Sequence, residues 1–256
     1  MSALPYTREF FVAQAPGSLV SARVIVPIVM DVVGPHSVVD LGCGTGSWLS
    51  VFAEHGVVDP VGIDGDYVDR AALLIPQARF IAHDLSKPLT LDRHFDLAIS
   101  LEVAEHLPAT SADTFVNSLV QLGPVVLFSA AVPGQGGVRH LNERWPSYWA
   151  ARFAEHNYVA VDAIRPRVWE NELVAWWYAQ NTLLFVSAGE LEARPRLRSE
   201  RERFQGMMDL VHPRMYEGMY EGAVRAWKEV TTRQLLKMLP KALARTFRWR
   251  FARPRS

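Results

Sequence analysis

The sequence predicts an α/β protein built on a doubly wound, mostly parallel sheet of seven strands, with helical additions at both ends. Between about residues 37 and 187, short runs rich in β-branched residues alternate with segments of helical periodicity. Each run is nearly continuously apolar, which is typical of strands covered by helices on both faces. The 256 residues are 49% hydrophobic and 21% charged, so the chain can bury the core that such a sheet needs.

The predicted elements follow one another in a regular order. The strands lie at residues 37–41, 60–64, 79–82, 95–100, 124–130, 159–161 and 182–186. The helical segments lie at residues 19–33, 47–55, 102–106 (one turn), 111–122 and 145–155, and the chain beyond residue 187 is charged and helical. We therefore expect a helical cap over residues 1–34, a Rossmann-like ligand-binding domain over 35–190, and a helical, basic extension over 191–256.

The composition excludes several classes of protein. Lys plus Arg and Asp plus Glu each number 27, so bulk charge gives no support for a nucleic-acid partner. The single cysteine, Cys43, excludes an internal disulfide framework and a multi-cysteine zinc site. The first residues do not read as a secretory signal, and the most apolar stretch, residues 19–33, is too short to cross a bilayer. We expect a soluble protein of the cytoplasm with no transmembrane segment.

The first strand runs into a glycine-rich turn that opens a helix, with the sequence DLGCGTG over residues 40–46. Such a turn lets the backbone approach a ligand closely. A dinucleotide-binding fingerprint would place its third glycine at position 47, where this chain has Ser47. Asp40, two residues before the first glycine, instead favours a zwitterionic or cationic ligand.

Acidic residues also end the next two strands. Asp64 closes the second strand, 22 residues after Gly42, where a carboxylate can accept both hydroxyls of a ribose. Asp84 follows the third strand, where it can accept a hydrogen bond from an adenine amino group. Because the carboxyl ends of parallel strands share one edge of the sheet, we expect these acids to line one ligand site.

The segments DLGCGTG, GIDGDYV, HDL and FDLAISLEVAEHLP resemble the successive motifs of class I S-adenosylmethionine-dependent methyltransferases. The resemblance covers about residues 35–190 and implies an enzyme that uses S-adenosylmethionine. It implies that the glycine loop and Asp40 hold the methionine part, Asp64 the ribose and Asp84 the adenine. The expected cofactor-binding residues are Asp40, Gly42, Gly44, Gly46, Asp64, Asp84, Leu85 and Ser100.

A candidate metal site follows the fourth strand. Glu102, Glu105 and His106 have the spacing i, i+3 and i+4, so one helical turn would place them on a common face. With His140 as a fourth ligand, such a set can hold a divalent cation, and its oxygens favour Mg²⁺ or Mn²⁺ over zinc. The alternative is a turn that binds no metal and whose residues cap helices and pair with arginines.

This E-x-x-E-H…H pattern resembles the metal site of small-RNA 3′-terminal 2′-O-methyltransferases and of ubiquinone-pathway O-methyltransferases. The resemblance implies an acceptor with two neighbouring hydroxyls. A bound cation would lower the pKa of the acceptor hydroxyl and align its oxygen with the methyl carbon. If His140 is a ligand, Glu143 or solvent takes the proton; without a metal, His140 is the leading general base.

Aromatic and polar side chains cluster in residues 134–148 and 169–181. Aromatic faces beside amides and acids suit a sugar ring, and the alternative is that they pack the late helices on the sheet. The predicted substrate contacts are Trp145, Tyr148, Trp177 and Gln180.

Two of these segments, HLNERWPSYW and WYAQN, resemble a subgroup of bacterial methyltransferases of saccharide and secondary-metabolite pathways. One class in that subgroup methylates the 1-hydroxyl of mannose oligosaccharides. We expect a small-molecule or oligosaccharide acceptor, with an RNA ribose or a catechol as the alternatives. The oligomeric state stays open.

The last 26 residues, 231–256, contain eight basic residues and no acidic one. Residues 1–230 therefore hold 19 basic and 27 acidic residues, a formal charge of −8. Apolar residues recur among the cations at helical spacing, at Leu235, Leu236, Leu239, Leu243 and Phe247. This pattern favours a C-terminal helix packed on the domain with a solvated end. An anionic membrane surface and a nucleic acid are the alternative partners.

Overall fold

The computed structural model describes residues 8–232 and positions 234, 237, 239 and 240, with side chains described from residue 17 onward. Within this part of the chain the strands are β1 (Ser37–Leu41), β2 (Asp59–Asp64), β3 (Phe80–Ala82), β4 (Leu97–Leu101), β5 (Val125–Ser129), β6 (Tyr158–Val161) and β7 (Leu183–Ser187). The α-helices are α1 (Arg8–Val32), α2 (Ser47–Glu54), α3 (Ala112–Leu122), α4 (Pro146–Glu155), α5 (Arg165–Val168), α6 (Trp176–Asn181), α7 (Ala188–Ala193), α8 (Pro195–Arg203) and α9 (Pro213–Lys228).

The strands form one sheet in the order β3-β2-β1-β4-β5-β7-β6. All neighbours are parallel except β7, which runs antiparallel to both β5 and β6. The prediction of a doubly wound, mostly parallel, Rossmann-like sheet of seven strands is therefore confirmed. The chain order reverses between β1 and β4, and ligands of such sheets bind in the crevice beyond the strand ends at that point.

Alternate residues of the sheet enter two apolar layers. Val38 and Ile99 face a layer that includes side chains of α1 and α2. Val39 and Phe128 face a second layer that includes side chains of α3 and α4. Every residue of β4 and β5 is buried, which explains why their sequences are apolar without alternation.

The observed bounds of the strands lie within two residues of the predicted ones. The helix predicted at residues 19–33 is the C-terminal part of α1, which begins eleven residues earlier, at Arg8. The helix predicted through Leu235, Leu236, Leu243 and Phe247 lies outside the described residues.

By its internal contacts the chain divides into two compact units, one ending at His212 and the other beginning at Pro213. The sheet and helices α1–α8 belong to the first unit, and α9 belongs to the second. Among the described residues, none of the helices combines the length and apolar character that a membrane span requires.

Candidate active site

The loop between β1 and α2 depends on glycine. Gly42, Gly44 and Gly46 have φ angles of +91°, +53° and +86°, a region that other residues rarely adopt. A Cβ built on Gly42 would overlap Cγ2 of Val103, so the segment after β4 packs directly against this glycine loop.

Cys43 packs inside the same loop. A Cβ built on Gly62 of β2 would lie only 2.7 Å from its Sγ. Burial, reinforced by the charges of Asp40 and Asp64, raises the pKa of the Cys43 thiol well above its usual range. The thiol is therefore protonated at neutral pH and is a poor nucleophile.

Two of the predicted acids lie buried beside the glycine loop. The Asp64 carboxylate accepts hydrogen bonds from the amides of Gly44 (2.7 Å) and Gly65 (2.6 Å) and from the Tyr67 hydroxyl. Burial raises the pKa of Asp64, and these hydrogen bonds partly offset that rise. Burial, with the charge of Asp64, also raises the pKa of Asp40 well above its usual range.

Asp84 is more exposed than the other two acids. Its carboxylate accepts hydrogen bonds from the Ser86 hydroxyl (2.6 Å) and amide (3.1 Å) and lies 3.2 Å from the Lys87 ammonium. The hydrogen bonds from Ser86 lower the pKa of Asp84. Its neighbour Leu85 is buried in the core layer of α3 and α4.

Ser100 lies in β4, which pairs with β1. Its side chain is fully buried, and its hydroxyl donates to the Leu41 carbonyl at 2.8 Å. This hydrogen bond ties β4 to the end of β1 beneath the glycine loop. The hydroxyl proton of Ser100 is thus used by protein backbone, and the role of Ser100 toward the cofactor stays a prediction.

The segment after β4 is tighter than the predicted helical turn. A 3₁₀ helix covers only Ala104–His106, and Glu102 precedes it with a left-handed backbone at φ +57°. The expectation that Glu102 shares one helical face with Glu105 and His106 is therefore wrong. A 3₁₀ helix has about three residues per turn, and Glu102 lies outside it.

The Glu102 carboxylate is held by two side-chain amides. It accepts hydrogen bonds from Nε2 of Gln135 (2.6 Å) and Nδ2 of Asn181 (3.1 Å). Nδ2 of Asn181 also lies 2.9 Å from Oε1 of Gln135, which closes a polar triangle. Burial raises the pKa of Glu102 to about 7. Gln135 was not singled out from the sequence, and Asn181 appeared there only as the last residue of the aromatic segment WYAQN.

Gln180 belongs to the same network. Its Nε2 donates to Asn181 Oδ1 at 2.9 Å, and its Oε1 accepts from the His212 amide at 2.7 Å. The side chain is buried, with 1% exposed. The prediction of Gln180 as a substrate contact therefore does not fit the structure, because both ends of its amide bind protein groups.

Three of the four predicted metal ligands converge. One donor atom from each of Glu105, His106 and His140 lies within 4.8 Å of the other two, and the two imidazole rings meet edge to face at 4.9 Å. Oε2 of Glu105 is buried and has no hydrogen-bond partner among the described residues. Burial, with the charge of Glu102, raises the pKa of Glu105 well above its usual range. Burial, with the neighbouring His140, lowers the pKa of His106 to about 4.

Glu143 orients the His140 ring. Nδ1 of His140 lies 2.9 Å from Oε1 of Glu143, and the carboxylate also accepts from the amides of Gly134 and Gly136, at 2.8 Å each. Although burial opposes it, these hydrogen bonds lower the pKa of Glu143. An ionised Glu143 places the proton of a neutral His140 on Nδ1, which leaves the Nε2 lone pair available.

The loop that carries His140 is fixed against the segment after β4. The amides of Leu141 and Asn142 both donate to the Glu105 carbonyl, at 2.7 and 3.0 Å. A Cβ built on Gly137 would overlap the His140 ring, so the loop passes the imidazole only because that position is glycine.

The predicted acceptor contacts lie in two places. Trp145 immediately precedes α4, and the ring of Tyr148 lies beneath the guanidinium groups of Arg144 (5.0 Å) and Arg152 (3.6 Å). Trp177 is half-buried on α6, packed against the core layer of α1 and α2. Trp145 and Tyr148 thus follow the His140 loop directly, whereas Trp177 is partly used in packing.

Residues 16–178, more than half of the chain, match a family described as a methyltransferase domain. No curated protein sequence matches the chain. The sugar N-methyltransferase KedS8 from Streptoalloteichus sp. ATCC 53650 is 16% identical, with a TM-score of 0.54 over 73% of this chain and 95% of that chain. Magnesium protoporphyrin IX methyltransferase from Synechocystis PCC 6803, solved with bound SAM, is 18% identical, with a TM-score of 0.50 over 70% and 83%. The methyltransferase domain of a bacterial Hen1 protein is 19% identical, with a TM-score of 0.48 over 65% and 97%. At these identities the likeness concerns the fold alone.

Proposed function

We propose that this chain, which belongs to the methyltransferase-domain family and is an S-adenosylmethionine-dependent methyltransferase, methylates a hydroxyl beside a bound divalent cation. The observation that carries this proposal is the convergence of Glu105, His106 and His140. Glu105 and His106 follow Val103, which packs against Gly42 of the glycine loop. The acceptor class that we propose is a sugar or oligosaccharide with neighbouring oxygens, and the 1-hydroxyl of a mannoside is the specific candidate.

The donor site that we propose lies along the strand ends of β1 and β2. The left-handed glycines leave room for a ligand against the backbone, and the buried Asp64 lies beside them. Asp64 accepts a hydrogen bond from the Tyr67 hydroxyl, and because a carboxylate oxygen can accept more than one hydrogen bond, Asp64 can also bind the hydroxyls of a ribose. Asp84, with its lowered pKa, is a carboxylate at neutral pH and can accept from an adenine amino group.

The chemistry of the cluster fits a divalent cation. Glu105 offers a buried oxygen without a partner among the described residues, and His106, with its pKa near 4, is a neutral imidazole at pH 7. His140 offers Nε2, because Glu143 fixes its other nitrogen. A cation bound there would lower the pKa of an acceptor hydroxyl, which otherwise ionises too reluctantly to attack a sulfonium methyl.

Glu143 positions the cluster and does not take the proton. Glu143 already accepts three hydrogen bonds and has a lowered pKa, so it is a weak base. We assign Glu143 to orienting His140, and the proton released from the acceptor hydroxyl goes to solvent. As the new C–O bond forms at the methyl carbon, the C–S bond of the donor breaks.

A second candidate mechanism rests on the same hydrogen bond. A histidine whose Nδ1 donates to a carboxylate is also a competent general base through Nε2. In that case His140 takes the acceptor proton and no cation is needed. The two mechanisms differ in one measurable property, the dependence of methyl transfer on a divalent cation.

The experiment that tests the proposal is transfer of labelled methyl from S-adenosylmethionine to a panel of mannosides, glucosides, catechols and short RNA. Each acceptor is tested with Mg²⁺, with Mn²⁺ and with a chelator. We expect transfer to a saccharide that the chelator abolishes. A rate of methyl transfer that the chelator does not change would favour the general-base mechanism instead. Transfer only to RNA or to catechols would contradict the proposal of a saccharide acceptor.

Glu143→Gln tests the positioning role directly. The amide keeps the shape of the carboxylate but weakens its hold on the His140 Nδ1–H, so we expect methyl transfer to fall about 10–100-fold. The affinity for S-adenosylmethionine should not change. Glu155→Gln, at an exposed acid on α4, is the matched control and should keep full activity. Full activity in Glu143→Gln would show that this carboxylate does not orient His140.

A further inference from the structure

Arg70 lies shortly after Asp64 in the chain, at the start of a short 3₁₀ helix that follows β2. Its guanidinium stacks on the Phe80 ring, with Cζ 3.9 Å from the ring centroid, and its Nη2 donates to Oδ1 of Asp66 at 2.9 Å. In the sheet, Phe80 pairs with Gly62, which precedes Asp64 on β2. The two contacts therefore fix the cation next to the end of β2, where Asp64 lies.

The pairing with Asp66 leaves much of the charge of Arg70 uncompensated. The Asp66 side chain is 91% exposed, and an ion pair so open to water contributes little. On the same guanidinium, Nη1 is buried and has no hydrogen-bond partner among the described residues. A buried N–H of a cation without a partner is costly unless negative charge lies nearby. Arg70 therefore requires a second negative charge in its surroundings.

Asp64 supplies that negative charge. Burial raises the pKa of Asp64, whereas the hydrogen bonds that it accepts and the charge of Arg70 lower it. The charge of Arg70 also lowers the pKa of the Cys43 thiol in the glycine loop, against the larger effect of burial. The influence of this cation therefore extends to the groups that border the proposed donor site.

A ribose needs a carboxylate that can accept from its hydroxyls. An ionised carboxylate offers only acceptors, whereas a protonated one has an O–H in place of one of them. The neighbouring buried carboxyl groups of Asp40 and Asp64 disfavour each other's ionisation. Without a cation beside this pair, a proton would be retained more readily.

We propose that Arg70 is a positioning residue of the donor site, which holds Asp64 in its ionised form and so prepares it to bind the ribose of S-adenosylmethionine. This inference rests on the proposed role of Asp64 toward the ribose. It depends neither on the metal nor on the acceptor.

Several titratable groups lie on the elements around Asp64. Those that the structure describes are Asp40 on β1, Cys43 in the glycine loop, Asp66, Tyr67 and Arg70 after β2, and His83 and Asp84 after β3. All of them except Arg70 are the same in the wild type and in a variant of Arg70. A difference between these proteins in the pH dependence of binding therefore reports on the arginine.

The test is calorimetric titration of the full chain with S-adenosylhomocysteine at pH 6 and pH 8. The sulfur of this ligand is uncharged, so a direct effect of the arginine on a sulfonium is avoided. We expect Arg70→Gln to weaken binding about tenfold or more at pH 6 and much less at pH 8, because the pKa of Asp64 rises when the cation is removed. Arg70→Lys, which keeps the charge, should recover most of the affinity.

Arg93→Gln is the matched control. Arg93 also lies over an aromatic ring, that of Phe95 at 4.2 Å, and also pairs with an aspartate, Asp59. Asp59 lies at the opposite end of β2 from Asp64. This variant should bind S-adenosylhomocysteine like the wild type at both pH values.

A double variant shows whether Arg70 acts through Asp64. Asp64→Asn removes the titrating group, so adding Arg70→Gln to it should cause no further loss that depends on pH. Circular dichroism shows whether each variant is folded. If Arg70→Gln does not fold, Arg70→Met, which keeps an apolar stem against the Phe80 ring, takes its place.

Three results would overturn the role of Arg70 alone. These are unchanged affinity in Arg70→Gln while Asp64→Asn binds weakly, a loss that is equal at pH 6 and pH 8, and an equal loss in Arg93→Gln. Full affinity in Asp64→Asn would contradict the role of Asp64 toward the ribose together with that of Arg70.

Discussion

Gly42 and Gly56 share a left-handed backbone, with φ of +91° and +92°, but their surroundings differ. A Cβ built on Gly42 would overlap Val103, whereas a Cβ on Gly56 would meet no atom within 4 Å. Replacing each by alanine therefore separates backbone strain from crowding. We expect Gly56→Ala to lower the free energy of unfolding by about 1–2 kcal/mol and Gly42→Ala by about 2–4 kcal/mol.

Only Gly42→Ala should also abolish binding of S-adenosylmethionine, because the glycine loop borders the proposed donor site. Thermal unfolding and calorimetric titration measure the two effects. Adding Val103→Ala removes the overlapping methyl groups, so the double variant should recover part of the lost stability. Equal losses in the Gly42 and Gly56 variants would show that crowding by Val103 has no effect.

Glu200 provides a prediction about pH. Its carboxylate accepts two hydrogen bonds from Arg167, at 2.7 and 3.1 Å, and these lower its pKa below the usual 4.5. Because the pKa of Glu200 is lower in the folded state than in the unfolded state, its ionised form stabilises the fold. This contribution is fully present at a pH above the unfolded-state pKa and is lost as the pH falls through the folded-state pKa. We expect Glu200→Gln to cost about 1–2 kcal/mol at pH 7 and much less at pH 3.

Denaturant unfolding at both pH values measures that difference. Glu202→Gln, at an exposed position of the same helix, should change the stability little at either pH. A cost for Glu200→Gln that is equal at both pH values would contradict an ionic contribution.

At this scale the sequence predicts residue types better than contacts. Asp40, Asp64 and the loop glycines could be singled out because each ends a recognisable strand or turn, and their role toward the cofactor stays a prediction. The occupied hydroxyl of Ser100 and the buried amide of Gln180 were not found, because their partners are the Leu41 carbonyl and the His212 amide. Backbone partners so far away in the sequence leave no pattern in it.

The loop after β5 is connected to α6 and to the end of β4 through Gln135. This side chain donates to Glu102, and its Oε1 lies within hydrogen-bond distance of Asn181 Nδ2 and the Val132 amide. Gln135→Leu would leave the Glu102 carboxylate with one fewer donor and loosen the loop that carries His140. We expect methyl transfer to fall about tenfold or more, with the affinity for S-adenosylmethionine unchanged.

The same substitution at Gln121, which is exposed on α3, is the control. Hydrogen exchange of the loop amides reports whether the loop has loosened. If Gln135→Leu kept both the wild-type rate and the wild-type protection of these amides, the network would have no positioning role.

The strands were well predicted where both of their faces are buried. The buried strands β4 and β5 have no exposed side, so their apolar runs mark them clearly. The segment at 102–106 was predicted less well. Its spacing fits an α-helical turn, but packing of Val103 on Gly42 and the left-handed backbone of Glu102 leave only a short 3₁₀ helix.

For the whole molecule, the order of the strands brings the candidate groups together. The reversal between β1 and β4 places the glycine loop beside the segment that carries Glu105 and His106. The long loop between β5 and α4 then brings in His140. The strand order expected from the sequence was enough to predict that the site lies at this edge of the sheet. Whether His140 is a metal ligand or a general base depends on distances between side chains, which no sequence pattern contains.

The most direct test of the proposed metal site is a titration of the full chain with Mn²⁺ in the presence of S-adenosylhomocysteine. Electron paramagnetic resonance measures the free ion at each point of the titration. We predict a saturable Mn²⁺ site that Glu105→Gln and His140→Asn each remove. The control variants Glu54→Gln and His55→Asn, outside the cluster, should keep it. The absence of a saturable site in the wild type, or a site that survives both substitutions in the cluster, would contradict the account.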